Sequence, residues 1–452
     1  MKWIPEDNSV RAAIIVGFLI RIIPLLFWLD WPCVRDECTY LRLSRRMIDG
    51  QGMTASNGWI WAPGYPFLVA IHELITGYGQ GIKTTQSVVS MGIIVMMYRL
   101  GTSFFNIRVG RLAAWMYALS PTQIFFAQSL WSECLYGGLL LAAVLYFERV
   151  SESESRTTRD TWTVGILVGC CILFRGVATY MLPVFAGALL WNRWRKPKIF
   201  QRVLILIAGA FLTVAPYSIY ASYKFNTVII SDRTLGQMMW LGNNEFSPVT
   251  FDWGNGQLSN RAYKRHTSTG RKPCASKRKP VERDKCQTKS GIAWIQNNPK
   301  AFLGRMPLRV AQLLNPHSFV TRHIRWGNWL GLPRWMDEAI VAINVCWSFA
   351  VLWLGSAGLI IFGRKPKAIL IGGILLYHVA AISILAGLTR YRVPLEPLLM
   401  LYAGQMLLSW PAALQQLREE RWRVVVLVLT AVWLIPLTLW FLPTGWVWWQ
   451  RW

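Results

Sequence analysis

Residues 11–42 read RAAIIVGFLIRIIPLLFWLDWPCVRDECTYLR, and they set the frame for the whole chain. Residues 11–29 form an apolar run long enough to cross a bilayer as a helix, broken by one charge, Arg21. Just past its end come two adjacent carboxylates, Asp36 and Glu37. Acids at a membrane exit are costly beside lipid and useful for chemistry, which makes this pair the first candidate site. The run is too long for a secretory leader and lacks a small-residue cleavage site, so it is expected to remain as an anchor.

The same pattern recurs along the chain. Of 452 residues, 54% are hydrophobic and only 15% charged, which excludes an ordinary soluble domain. Further apolar runs lie at 82–100, 112–128, 133–147, 162–174, 176–192, 203–220, 339–362, 367–387, 394–411 and 423–442. The fold class is therefore an all-α polytopic membrane protein with about eleven transmembrane helices and outer juxtamembrane helices. The stretch 63–77, opened by Pro63-Gly64-Tyr65-Pro66, is too short for a span and reads as a re-entrant or interfacial helix. Residues 37–49 form a second such helix, with Tyr40, Leu43, Met47 and Ile48 on one face and Arg42, Arg45, Arg46 and Asp49 opposite. Trp28, Trp31, Trp59 and Trp61, with Trp446, Trp448, Trp449 and Trp452, fit an interfacial aromatic belt.

Charge sets the orientation. Arg108, Arg111, Arg193, Arg195, Lys196, Lys198, Arg202, Arg364, Lys365, Lys367, Arg418 and Arg421 sit on four short connections that fall on one side of an eleven-span chain. The positive-inside rule makes that side cytoplasmic. Loops 30–81, 221–338 and 388–393 then lie outside. Three parts are expected: an N-terminal transmembrane catalytic module, 1–220, with the first outer loop at 30–81; a basic extracytoplasmic loop with interfacial helices, 221–338; and C-terminal transmembrane helices, 339–452. Much of the net charge of +26 sits in the second part, from Arg261 to Lys289. A solvated segment near anionic headgroups accounts for it, and so does recruitment of an anionic substrate. No nucleic-acid partner is expected. Residues 294–314 read as one or two amphipathic helices on the membrane, with Phe302, Met306 and Val310 on one face.

Of eight cysteines, Cys134, Cys170, Cys171 and Cys346 fall in apolar segments as small core residues. An outer location permits a Cys274–Cys286 disulfide, and a Cys33–Cys38 bridge is the less favoured pairing. No CxxC spacing supports a metal site.

Five outer features could carry chemistry, each with a plainer alternative. Asp36 and Glu37 could equally cap a helix. Trp61-Ala62-Pro63-Gly64-Tyr65-Pro66 could be a simple turn. Ser132-Glu133, after Ser120-Pro121, opens a span and could only cap it. Arg175, between two spans, could be a snorkelling anchor. Leu388-Thr389-Arg390-Tyr391-Arg392-Val393-Pro394 places two arginines on a short rigid loop, which suits a phosphate or a headgroup. His72, His317 and His378 are scattered and take no role.

These motifs, in this order, resemble the GT-C glycosyltransferases, in the branch of protein O-mannosyltransferases and lipid A aminoarabinose transferases (the glycosyltransferase family 39 type). Asp36-Glu37-x-x-Tyr40 with Asp49-Gly50-Gln51-Gly52 is similar to that family's first outer loop, and 61–68 to its Pro-rich element. Leu119-Ser120-Pro121…Ser132-Glu133, Leu173-Phe174-Arg175-Gly176, Leu241-Gly242-Asn243-Asn244 and Arg390-Tyr391-Arg392-Val393-Pro394 also fit it. The resemblance implies a polyprenyl phosphate sugar donor and transfer to a lipid, glycan or protein on the extracytoplasmic face of a cell membrane. It assigns Asp36 as the acid that deprotonates or orients the acceptor, with Glu37 beside it. The aminoarabinose branch has a further acid near its Pro-rich element, but here that stretch reads Ile60-Trp61-Ala62-Pro63. A metal site of that type is therefore in doubt, with Glu73 or Glu133 as substitutes and a divalent cation, Mg or Mn, left open. Sugar transfer from a phosphate needs a base and cations for the leaving group. Arg390, Arg392 and Arg175 are the expected phosphate ligands, with Glu133 as a supporting acid. No Walker or GxGxxG context is present, as expected if the donor arrives through the bilayer. A transporter or flippase of lipid-linked glycans, or a scaffold binding anionic polymer through the basic loop, are the competing readings.

Overall fold

A computed structural model of the chain describes residues 5–30, 32–34, 36–53, 60–152, 157–193, 198–245, 274, 276–327, 329, 331–363 and 366–428. Arg35, Trp31, Trp59, the C-terminal tryptophans, residues 261–272 of the basic loop, and most of the apolar run 423–442 lie outside them. The described residues are helical almost throughout, with one isolated antiparallel bridge between Ile60 and Arg233.

The apolar runs within the described residues become helix. They give α1 (Asn8–Trp28), α4 (Ile82–Phe104), α5 (Ile107–Leu119) with α6 (Pro121–Gln128), α7 (Glu133–Glu152), α8 (Thr157–Phe174), α9 (Leu182–Arg193) and α10 (Ile199–Phe225). On the long connections 30–81 and 221–338 lie α2 (Asp36–Ile48), α3 (Gly64–Thr76), α11 (Leu235–Gly242), α12 (Pro280–Asn297), α13 (Pro299–Leu314) and α14 (Phe319–Arg325). The C-terminal part is α15 (Arg334–Phe362), α16 (Pro366–Ile384), α17 (Glu396–Leu408) and α18 (Trp410–Glu419). Among the described residues, five helices are long and apolar enough to span a bilayer alone. A sixth span results if α17 and α18, bent by 91°, count as one. The remaining apolar runs form shorter or broken helices.

One break is instructive. The run 112–128 does not continue as a single helix, because Pro121 cannot donate to the preceding turn; Ser120 instead caps α6 through the Gln123 N–H. That leaves the Ala118 carbonyl of α5 without a helical partner inside the apolar core, and Tyr117 O with only the Ser120 N–H at 3.4 Å. Arg21 serves both: its Nη1 donates to Ala118 O at 2.8 Å and Gly17 O at 3.1 Å, and its Nη2 to Tyr117 O at 3.1 Å. Pro24 in turn frees the Ile20 carbonyl in α1, and Gln128 Nε2 donates to it at 3.1 Å and to Arg21 O at 2.9 Å. The single deep charge of the sequence is thus a backbone clamp between two proline-broken helices.

The outer helices follow the sequence pattern with small differences. In α2, Tyr40 and Leu43 are buried, Met47 is half-buried and Ile48 is exposed. Ser44 and Arg45 fasten α2 to α3, each donating to Glu73 at 3.2 Å. Helix α3 is short and presents Phe67, Leu74 and Ile75 outward, as an interfacial helix would. Residues 294–314 divide between α12 and α13 at Asn298-Pro299.

Replacing Arg21 by Met should strand the Ala118 carbonyl, leave Tyr117 O only its long Ser120 contact, and cost about 3 kcal/mol. Thermal unfolding of the detergent-solubilised protein checks this; an unchanged midpoint would show the clamp to be dispensable.

Candidate active site

The N-terminus of α2 is tied down from three directions. Cys33 and Cys38 form a disulfide, contrary to the sequence preference against that pairing. Glu37 Oε2 accepts the Val34 N–H at 2.9 Å, as the acid of a capping box does. Glu37 Oε1 accepts the Leu130 N–H at 2.8 Å, joining α2 to the turn before α7. Burial pushes the Glu37 carboxyl up, and these N–H donors oppose the rise. Both oxygens of Glu37 are therefore engaged with backbone, whereas Asp36, one residue earlier, faces another way.

Asp36 Oδ2 accepts from Arg390 Nη1 at 2.9 Å. Arg390 Nε lies 3.9 Å from Glu133 Oε1, and the same Glu133 oxygen is ion-paired with Arg175 Nη1. Four of the expected residues thus form one alternating array, Asp36–Arg390–Glu133–Arg175, drawn from four loops. The rings of Trp131, Phe319 and Tyr391 surround the Arg390 guanidinium at 4.9–5.9 Å, and Tyr136 and Tyr391 lie against Arg175. Exposure is greatest at Asp36, whose side chain is 32% exposed, and least at Glu133, at 1%, with Arg390 at 16% and Arg175 at 13%. A group arriving from outside meets Asp36 first. Glu133 Oε2 and Arg390 Nε are buried with no hydrogen-bond partner among the described residues, so the array retains unused polar capacity.

Arg392 is not part of it. Its Nε pairs with Glu396 at 2.9 Å, and its Nη1 donates to the carbonyls of Leu313 and Asn315. Both side chains of that pair are 2% exposed. Arg390 and Arg392 fall on different sides of the short 3-10 turn Thr389–Arg392, which the sequence reading did not separate. The Asn243-Asn244 motif is likewise structural: Asn243 Nδ2 donates to Ile384 O at 3.0 Å, and the Asn244 carbonyl accepts from Arg305. The expected Cys274–Cys286 disulfide forms.

Among the described residues no group of three or more His, Cys, Asp or Glu side chains could hold a metal ion. Glu73 is taken by Ser44 and Arg45, and Asp36 and Glu133 each face a guanidinium. This donor set suits an anion rather than a cation.

The sequence reading missed one acid. Asp232 sits on the second outer loop, beside the Ile60–Arg233 bridge, in which Arg233 N–H donates to Ile60 O at 2.8 Å. Its Oδ2 accepts from the Thr234 hydroxyl at 2.9 Å. Burial raises its carboxyl to about 6, reinforced by Asp284 and opposed by Thr234, Arg175 and Arg233. No motif marks Asp232; the only sequence signal is Gly176 after Arg175, since a side chain there would occupy the space of this carboxylate.

A family model described as "Dolichyl-phosphate-mannose-protein mannosyltransferase" matches residues 61–220, about a third of the chain. The match contains the Pro-rich element, Glu133 and Arg175, but neither Asp36 nor Arg390. No curated protein matches the chain in sequence. The archaeal oligosaccharyltransferase AglB from Archaeoglobus fulgidus, solved with an inhibitory peptide and a dolichol-phosphate, superposes with a TM-score of 0.53 at 13% identity. The alignment covers 95% of this chain and 54% of that one. The same A. fulgidus enzyme with Zn and sulfate gives 0.51 at 13% identity, covering 96% and 52%. This chain therefore spans about half the length of those structures and shares their all-helical fold, in line with the fold class expected from the sequence.

Asp232 gives a pH prediction. A carboxyl raised in the folded state destabilises the protein where it is ionised, above about pH 6, and the cost fades as pH falls toward the ordinary value of 3.8. Asp232→Asn should therefore raise the unfolding midpoint at pH 8, by at most about 3 kcal/mol, and leave it unchanged near pH 4. Equal effects at both pH values would contradict the burial of an ionisable group there.

Proposed function

We propose that this chain is a GT-C-type membrane glycosyltransferase that moves a sugar from a polyprenyl phosphate to a hydroxyl or amine acceptor on the extracytoplasmic face. The observation that carries the reading is the Asp36–Arg390–Glu133–Arg175 array: two cations and an accessible carboxylate, held together at the head of a membrane bundle. The family match over 61–220 and the AglB-like fold support it.

The chemistry follows from the charges. A lipid phosphate sugar is a phosphodiester with one negative charge. Its phosphate competes with Asp36 for Arg390, so donor binding frees the Asp36 carboxylate. The acceptor oxygen or nitrogen attacks the anomeric carbon, and its proton passes to Asp36. The bond from that carbon to the phosphate oxygen breaks, and its electron pair stays on the phosphate. A single displacement inverts the anomeric configuration. The second negative charge develops on the phosphate in the transition state, where Arg390 and Arg175 count most. Glu133 keeps those two guanidiniums at a fixed separation. Arg392 and Glu37 hold the backbone that carries the array.

The extracytoplasmic assignment rests on two independent features. Basic residues crowd the short connections assigned to the opposite side. Both disulfides, Cys33–Cys38 and Cys274–Cys286, lie on the loops that carry the array or flank it, and disulfides persist in oxidising compartments.

Asp36→Asn should abolish transfer, by at least about a hundredfold for loss of a general base, with folding and membrane insertion intact. Full activity of that variant with lipid-linked sugar in a membrane assay would remove the proposal. Glu37→Ala should instead lower the unfolding midpoint by about 2 kcal/mol through its two stranded N–H groups, and act on turnover only through stability. Thermal unfolding alongside turnover at low temperature separates the two acids.

A further inference from the structure

The transfer array explains a phosphate and an acceptor but leaves Asp232 and Trp61 unused. In the isolated antiparallel bridge Ile60 opposes Arg233, which brings their chain neighbours Trp61 and Asp232 onto adjoining segments. The Asp232 carboxylate is seated over the backbone of Gly176: a Cβ built there would come within 2.1 Å of Oδ1 and 2.5 Å of Oδ2. It thus lies beside Arg175, the far end of the array from Asp36, yet forms no ion pair with it within 4 Å. One of its oxygens takes the Thr234 hydroxyl. A half-buried carboxylate without a cation is costly, and its seat on a glycine holds it there regardless. On the adjoining segment the Trp61 indole N–H is buried with no hydrogen-bond partner among the described residues, as is the hydroxyl of Tyr65, whose own exposure is 0%. The Tyr40 ring links the two, with centroids 5.1 Å from Trp61 and 4.7 Å from Tyr65.

We propose that Asp232 and Trp61 form the subsite that recognises the sugar ring of the donor. The inference rests on the reading of the chain as a polyprenyl phosphate sugar transferase. A pyranose or furanose attached to a phosphate held by Arg175 lies within reach of the carboxylate beside that arginine. Asp232 accepts from ring hydroxyls, the indole supplies an apolar face and an N–H donor, and Thr234 keeps the carboxylate oriented. A hydrogen bond to an ionised group contributes discrimination of about tenfold or more against a ligand that lacks it. The two loops that build the subsite, 60–61 and 231–234, are far apart in sequence and are joined at the bridge, so sugar choice is separable from the transfer chemistry.

The experiment measures binding of bare polyprenyl phosphate and of its mannosyl, glucosyl, galactosyl and 4-amino-4-deoxyarabinosyl forms to the purified full chain. Native mass spectrometry reads it. The wild type should bind at least one sugar form about tenfold more tightly than the bare phosphate. Asp232→Asn and Gly176→Ala should each abolish that ratio while retaining bare polyprenyl phosphate binding; the second moves the carboxylate without removing any polar group. A preserved ratio in Asp232→Asn overturns the subsite, as does a wild type that binds bare phosphate but favours no sugar form. Loss confined to acceptor binding, with the donor ratio intact, also overturns it and would place the acceptor at Asp232 instead. Failure of the wild type to bind any of the lipid phosphates overturns the function reading itself, which distinguishes the two.

Discussion

Arg390 and Asp36 are 354 residues apart in sequence and 2.9 Å apart in space. Neither belongs to a spanning helix, and no ladder of backbone hydrogen bonds joins their loops. What brings them together is electrostatic: a guanidinium 16% exposed and ringed by aromatic faces needs a counter-charge, and Asp36 and Glu133 provide it. The pairing fixes the C-terminal turn Thr389–Arg392 against the first outer loop. Through Glu133 it reaches Arg175 and the third loop. Under the proposed function, a phosphate would compete with these carboxylates for Arg390 and Arg175, so the interactions that hold the loops together would also serve the anion.

Several buried charges serve a different end. Arg21 clamps the terminus of α5, Arg309 donates to Ser383 O and Ile384 O at the end of α16, and Arg423 donates to the Ile360 carbonyl near the end of α15. Carbonyls at a helix C-terminus carry partial negative charge and have no water to satisfy them inside an apolar core. A long donor-rich side chain from a neighbouring helix is the cheapest remedy. Arginine in such a bundle therefore marks a helix end as often as a reactive centre.

That ambiguity sets how far the sequence could be read. The helical membrane class followed from apolar run length, and α2 and α3 from periodicity and proline placement. Asp36, Glu133, Arg175 and Arg390 were legible because each stands at an outer end of a run, where charge is unexpected. Arg392 was not separable from Arg390, because a two-residue step in a tight turn reverses the side chain and nothing local reports it. The division of 112–128 was hidden because Ser120-Pro121 lies inside an uninterrupted apolar stretch. Asp232 could not be found at all: its neighbours Gly176 and Trp61 come from other loops, and only their meeting gives the carboxylate its setting.

The reach of the Asp36–Arg390 contact bears on how such a chain matures. Asp36 emerges early in synthesis, and its partner follows only after most of the bundle has been threaded into the bilayer. Until then the first loop carries an unneutralised acid and the array lacks its central cation. On the proposed function, a truncated or half-inserted polypeptide would therefore be chemically silent, and the late arrival of one guanidinium would act as a built-in test of completeness.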